Sequence, residues 1–248
     1  MGTLPPDYTH CDLNHGAPTL LAGEVHCWLV PVSAAVADEE TLDDEERNRA
    51  ARFHFEKDRN RFCAGRVWQR RILGAYLGQT PSVVVIEKSA AGKPRLSDEP
   101  FSFNYSRSGD WGLLAVSHKG ILGADIEQIR QTDDLPYVAR AHFSDAERRA
   151  LDDLSGEQWF NGFFACWTRK EAVVKAIGEG LLIPLDCFDV AIDPDAPARI
   201  LGARAEAVVA ADWSMASFRP APGYLAAIAS NIPDPKLCFY LAESSRPE

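Results

Sequence analysis

The chain has 248 residues, is 46% hydrophobic and 25% charged, and carries a formal net charge of −10. That length supports one large domain or two small ones with real cores, and the acidic balance argues against general nucleic-acid binding, which draws on a basic surface. No run of about 18 apolar residues is present, so no membrane-spanning helix is expected. The N-terminus, with Pro5, Pro6, Asp7 and His10, lacks the basic and apolar regions of a signal peptide, and a cytoplasmic protein without a membrane partner is expected. Cys11, Cys27, Cys63, Cys166, Cys187 and Cys238 form no C-x-x-C pair and read as reduced thiols, with Cys166 and Cys238 packed as small hydrophobes. The histidines have no zinc spacing, and neither a G-x-x-x-x-G-K-[ST] loop nor a Gly-x-Ser-x-Gly elbow is present.

Taken in chain order, residues 25–32 read as a strand. Helices are predicted over 43–55 and 57–77, the second ended by Gly78 and Pro81. A short β-branched run covers 83–87. Residues 101–105, 112–117 and 121–129 read as consecutive strands. Ser144-Asp145-Ala146-Glu147 is a capping box that opens a helix to about 154. A longer helix is predicted over about 157–177, with Gly178 and Gly180 at its end. Strands at 188–192, 213–218 and 224–230 complete the pattern, and the polar tail 243–248 is expected to fray. Helices followed by strands thus occur twice.

Two stretches carry the chemistry. Gly123-Ala124-Asp125-Ile126-Glu127 lies in a predicted strand, so Asp125 and Glu127 point to one face and Ile126 to the other. Trp167-Thr168-Arg169-Lys170-Glu171-Ala172-Val173-Val174-Lys175 lies in the long helix, where Glu171 and Lys175 form an i,i+4 pair. Two acids from a strand and one from a helix suit a hard divalent cation such as magnesium, which takes oxygen ligands and leaves positions for phosphate or water. Each feature alone has an ordinary explanation: a solvated strand edge, a helix-stabilising salt bridge, a core tryptophan.

Together they resemble the 4'-phosphopantetheinyl transferases of the larger, surfactin-synthetase-activating type. That family carries Gly-x-Asp-x-Glu, then some forty residues later Trp-x-x-Lys-Glu-x-x-x-Lys-x-x-Gly-x-Gly-Leu, and every fixed position of both is present here. Weaker similarities extend over most of the chain. They are Arg49-Ala50-Ala51-Arg52-Phe53 with Asp58, Arg61, Phe62 and Arg66; Gly92-Lys93-Pro94; Phe103-Asn104-Tyr105-Ser106-Arg107; and Phe143-Ser144 with Glu147. Arg107 departs from the family, which usually has His there.

The resemblance implies an α/β (α+β) fold of two similar halves related by a pseudo-twofold axis, with the active site between them. The boundary is placed near Lys119–Gly120, giving an N-terminal half at 1–119 for coenzyme A nucleotide contacts and a C-terminal half at 120–248 with the metal site and catalytic helix. The implied reaction moves the phosphopantetheine arm of coenzyme A to a serine of an apo acyl or peptidyl carrier protein, with Mg2+, releasing 3',5'-ADP. Asp125, Glu127 and Glu171 are the implied metal ligands. Glu171 is the first choice for the base, with Glu127 or a metal-bound water as alternatives. Lys175 and Lys170 are expected at the pyrophosphate, and Trp167 is expected to pack. Arg49 and Arg61 align with positions that bind the 3'-phosphate, Lys88, Lys93 and Pro94 surround the adenylate, and Ser106 and Arg107 hold the 3'-phosphate. A monomer is expected. Two other classes compete: a carrier-protein binder with a decayed site, against which the intact Asp125, Glu127, Glu171 and Lys175 argue, and another magnesium phosphotransferase or nuclease, for which no basic surface or nucleotide loop is visible.

Overall fold

The computed structural model describes residues 6–33, 38–97, 100–178, 183–209 and 212–243. Gly180 and Leu181 of the second motif, and the tail from 244, lie outside them.

Two sheets pack face to face, each with a long helix on its outer side. The first has five strands in the order β1 (Thr9–Cys11), β12 (Lys236–Ala242), β2 (Glu24–Pro31), β6 (Trp111–Ser117), β5 (Ser102–Ser108). The second has three, β10 (Ser214–Phe218), β11 (Tyr224–Ser230) and β7 (Leu122–Gln128). Strand alternation sorts the side chains. Val25, Cys27 and Leu29 of β2 meet Leu122, Ala124 and Ile126 of β7 and Ala226 and Ile228 of β11 in the layer between the sheets. Trp28 and Val30 face the other way, onto Ala64, Trp68 and Ile72 of α2 (Glu56–Leu77). Leu225, Ala227 and Ala229 of β11 face Ala165, Ala172 and Val173 of α5 (Gly156–Ile177). The order is helix, sheet, sheet, helix. Each half has one 22-residue helix that ends at a glycine in the left-handed region, Gly78 at φ 62° and Gly178 at φ 82°.

Smaller elements complete the halves. In the first, α1 (Asp44–Ala50) opens on a capping box between Asp43 and Glu46. It is shorter than the predicted 43–55, and beyond its end Phe53 packs at a tilt against Phe62, ring centroids 5.4 Å apart. A hairpin of β3 (Ile86–Lys88) and β4 (Pro94–Leu96) carries the Gly-Lys-Pro turn. The second half has α3 (Leu135–His142), unforeseen from sequence, then α4 (Asp145–Asp152) on its expected capping box. The hairpin β8 (Phe188–Val190) with β9 (Ile200–Ala203) and the short α6 (Glu206–Val209) follow.

The last strand crosses the expected division at Lys119–Gly120. β12 leaves the second half and inserts between β1 and β2, parallel to both. Its Leu237, Phe239 and Leu241 pack into the layer between the sheets, which makes β12 part of the first half's sheet. All six cysteines are free, with Cys166 fully buried and Cys238 half-buried.

A candidate active site at the seam between the halves

The site begins with a glycine. On β7, Gly123, Asp125 and Glu127 face α5 while Leu122, Ala124 and Ile126 face the inter-sheet layer. A Cβ at Gly123 would stand 2.0 Å from the Ala172 carbonyl oxygen and 2.4 Å from the Ala176 nitrogen. Only a residue without a side chain lets the helix backbone lie this close to the strand. That approach sets Glu171 and Lys175, one turn apart, over Asp125.

Asp125 is 1% exposed. Its Oδ1 accepts from Lys175 Nζ at 2.5 Å and from Ser106 Oγ at 2.7 Å, and Lys175 also donates to Ser106 Oγ at 2.9 Å. The other oxygen, Oδ2, is buried with no hydrogen-bond partner. Ser106 belongs to a stripe on β5 that stitches the halves together. Asn104 Oδ1 accepts from the Ala124 amide at 3.0 Å, Ser108 Oγ accepts from the Gln128 amide at 3.1 Å, and Ser108 Oγ donates to Glu127 Oε2 at 2.6 Å. Spaced two apart, these three side chains cover the edge of β7 in place of a strand ladder.

The carboxylates perturb one another. Burial, then the charge on Asp125, pushes Glu127 up to about 7, and the same two causes raise Glu171. Burial works against the Lys175 ammonium, but the surrounding carboxylates, Asp125 foremost, outweigh it and raise its pKa. An orphaned buried carboxylate oxygen beside two acids whose pKa is raised by burial and by Asp125 is a donor set short of positive charge. It fits a hard oxygen-loving cation. The three acids are not drawn into a closed cluster, since Lys175 already lies on Asp125 Oδ1. Among the described residues, the trio of potential ligands with atoms within 4.8 Å of one another is instead Glu24, His26 and Cys238. That trio is internally satisfied. Trp28 Nε1 donates to the Tyr76 hydroxyl at 2.9 Å, which leaves the Tyr76 proton for His26 Nδ1 at 2.6 Å and places the imidazole proton on Nε2, 3.2 Å from Glu24 Oε2. Lys236 donates to the other Glu24 oxygen at 2.9 Å.

Glu171 and Lys175 line a cleft of about 320 Å³ whose opposite wall is Gly92, Lys93, Pro94 and Tyr105 of the first half. Lys93 bridges the halves through its side chain. Nζ donates to the Ala176 carbonyl at 2.7 Å and the Leu122 carbonyl at 3.0 Å, and burial lowers its pKa to about 8. Its ammonium is thus engaged with the C-terminal turn of α5, while its stem and Pro94 form the cleft wall.

The other candidates are dispersed. Lys170 does not reach the cleft: it is fully buried, with Nζ on the Leu185 and Phe188 carbonyls and on Glu147. The expectation that it contacts the pyrophosphate is corrected by this geometry, since consecutive helical residues point about 100° apart. Ser106 and Arg107 leave β5 on opposite faces, Ser106 toward Asp125 and Arg107 into solvent. Arg107 has no salt-bridge partner among the described residues. Arg49 is exposed, lies 5.1 Å over the Phe62 ring, and lines a separate hollow with Arg52 and Phe53. Arg61 is paired with Asp110 at 2.7 Å, and Lys88 contacts Glu45. Trp167 packs as expected, stacked on Phe163 with His142 against its edge. Sequence reasoning missed Asn104 and Ser108 as seam residues. Their alternation with Phe103 and Tyr105 was the available signal, a half-polar strand with its polar side turned inward.

An α+β molecule of two packed halves, with acids and a lysine from the second half meeting the first at the seam, has clear relatives. Residues 121–229 match the family described as the 4'-phosphopantetheinyl transferase superfamily, and residues 30–119 match its N-terminal counterpart, "4'-phosphopantetheinyl transferase, N-terminal". The 4'-phosphopantetheinyl transferase HetI of Nostoc sp. is 36% identical over 219 residues, covering 85% of this chain and 89% of that protein. The 4'-phosphopantetheinyl transferase Sfp of Bacillus subtilis is 30% identical over 155 residues, 62% of this chain and 68% of that protein. The 4'-phosphopantetheinyl transferase AcpT of Escherichia coli is 38% identical over 121 residues, 48% of this chain and 58% of that protein. The chain belongs to the 4'-phosphopantetheinyl transferase superfamily and is an enzyme of that class.

Proposed function

We propose that this enzyme transfers the 4'-phosphopantetheine arm of coenzyme A to a serine hydroxyl of an apo acyl or peptidyl carrier protein, in the manner of the surfactin-synthetase-activating type. The serine oxygen attacks the β-phosphorus of the coenzyme A pyrophosphate, the bond to the nucleotide breaks, and 3',5'-ADP leaves. Asp125, Glu127 and Glu171 would hold a magnesium ion, which would supply charge neutralisation at the pyrophosphate. The observation that carries the reading is the unpartnered Asp125 Oδ2, buried beside two carboxyls of raised pKa and one lysine.

Glu171 takes the hydroxyl proton. It lines the cleft, and its raised pKa moves it toward neutrality, where a general base is most effective. Glu127 is the second reading, favoured by its value of about 7. Lys175, ionised at all working pH, places positive charge at the pyrophosphate. Lys93 and Pro94 shape the wall for the adenylate, and Arg107 offers an exposed guanidinium for the 3'-phosphate. The enzyme acts as a cytoplasmic monomer. Intact-mass measurement of an apo carrier protein incubated with coenzyme A, magnesium and enzyme is expected to show the gain of one phosphopantetheine arm and equimolar 3',5'-ADP. An unmodified carrier with every carrier class offered, or nucleotide released without a mass gain, contradicts the proposal.

A further inference from the structure

We propose that Lys170 is a positioning residue, and that its buried ion pair with Glu147 sets the rotation of α5 that turns Glu171 and Lys175 toward Asp125. This rests on the site reading above.

The Lys170 ammonium donates to the Leu185 carbonyl at 2.6 Å and the Phe188 carbonyl at 2.5 Å, and it forms an ion pair with Glu147 Oε1 at 2.9 Å. The Phe188 ring centroid lies 4.4 Å away. Glu147 is equally engaged. Its Oε1 also accepts from the Val190 amide at 2.8 Å, and its Oε2 accepts from the Ser144 amide at 2.9 Å as the return arm of the α4 capping box. Lys170 is 0% exposed and Glu147 2%.

One side chain therefore ties α5 to the start of α4, to β8 and to the turn that precedes it. The polar cluster lies within the apolar layer formed by Phe143, Cys166, Phe188 and Val190. A buried ion pair of this kind is weak evidence for stability, because desolvation offsets the attraction, but moving either partner leaves a buried charge uncompensated, which favours one arrangement. A rotation of α5 by one residue, about 100°, would withdraw the ammonium from all three partners. The same rotation would carry Glu171 and Lys175 off the face that meets Asp125. The apolar surface of α5 cannot define this angle by itself, since buried apolar residues surround it, Phe163, Phe164, Cys166 and Val173 on one half and Ala165, Ala172 and Ala176 on the other.

The test compares Lys170→Met, Glu147→Gln and the double variant by carrier-transfer kinetics, calorimetric binding of coenzyme A and thermal melting. All rates are expressed per folded molecule. The expected result is that kcat falls about tenfold or more in both single variants, and that any loss of coenzyme A affinity is the same in the two. The double variant is expected to be no worse than the poorer single one, as for residues acting as a unit. Glu147, on a different helix and fully enclosed, has no route to coenzyme A, so a matching kcat loss there reports helix position. A tenfold or larger loss of coenzyme A affinity in Lys170→Met with a normal Glu147→Gln would identify Lys170 as a ligand and overturn the inference. Normal kcat in both variants would reduce the pair to a purely structural one and overturn it as well. If Lys170→Met does not fold, Glu147→Gln decides alone, by the same kcat criterion. Glu171→Gln separates the two levels of the argument: an active Glu171→Gln defeats the site reading itself, whereas an inactive one leaves the outcome for Lys170 specific to this inference.

Discussion

At the scale of single residues, the charge balance around Asp125 governs both stability and chemistry. Glu127 titrates near 7 in the folded protein, well above its ordinary 4.5, with burial as the first cause and Asp125 as the second. Between these values the native state holds more protons than the unfolded chain, so stability falls as pH rises from about 4.5 to 7. Glu127→Gln removes that cost. In metal-free buffer at pH 8 the variant is expected to be more stable than wild type by on the order of 1 kcal/mol or more, a gap that closes at pH 4. Equal melting temperatures at both pH values would show that Glu127 is not strained by its neighbours. Arg107 presents a different test. Its guanidinium is a permanent, exposed fork suited to phosphate. Arg107→Ala is expected to weaken coenzyme A by about 1.5–3 kcal/mol and dephospho-coenzyme A by far less. Equal losses for both ligands would remove it from the 3'-phosphate.

At the scale of elements, the contact between β7 and α5 builds the site. Gly123 sets their separation, and a methyl group there meets backbone atoms that cannot yield. Gly123→Ala is expected to cost about 1–3 kcal/mol by overpacking, read in urea unfolding, together with a loss of transfer activity in the folded fraction. Wild-type stability and turnover would show that the strand and helix have slack. The motif residues were legible in sequence because their spacing matches a strand and a helix, and Asp125, Glu171 and Lys175 do meet. Lys170 was misplaced because α5 is apolar on most sides and has no continuous polar face from which to tell cleft from core. Of the seam stripe, Ser106 alone carried an expected role, at the 3'-phosphate, and Asn104 and Ser108 carried none. The stripe's partner strand is not a ladder neighbour, so no pairing pattern in the sequence announces it.

At the scale of the molecule, the two halves were readable as successive helix-and-strand runs, whereas the crossing of β12 was not. Leu237, Phe239 and Leu241 alternate as a strand should, but Pro233 and Pro235 precede them, and their partner β2 lies over 200 residues away in the chain. Parallel pairing at that distance leaves no local turn signal. The acidic total of −10 has a consequence for docking, since carrier proteins are themselves typically acidic. A local basic or apolar surface must offset it, and the segment from Tyr137 to Phe143, with Arg140 and His142, is the candidate. Tyr137 is 69% exposed with the Arg140 guanidinium 5.9 Å over its ring, and His142 lies against Trp167, while Phe143 is wholly buried and belongs to the core. Arg140→Glu is expected to raise KM for the carrier at low salt and leave KM for coenzyme A unchanged. An unchanged carrier KM would take α3 out of the docking surface. The central claim, that the seam between the halves is a metal-assisted transfer site, is tested most directly by single-turnover transfer in Asp125→Ala and Glu171→Gln at saturating coenzyme A and magnesium. Both are predicted to fold and to lose about 10²-fold or more in rate; folded variants with near-normal rates would contradict it.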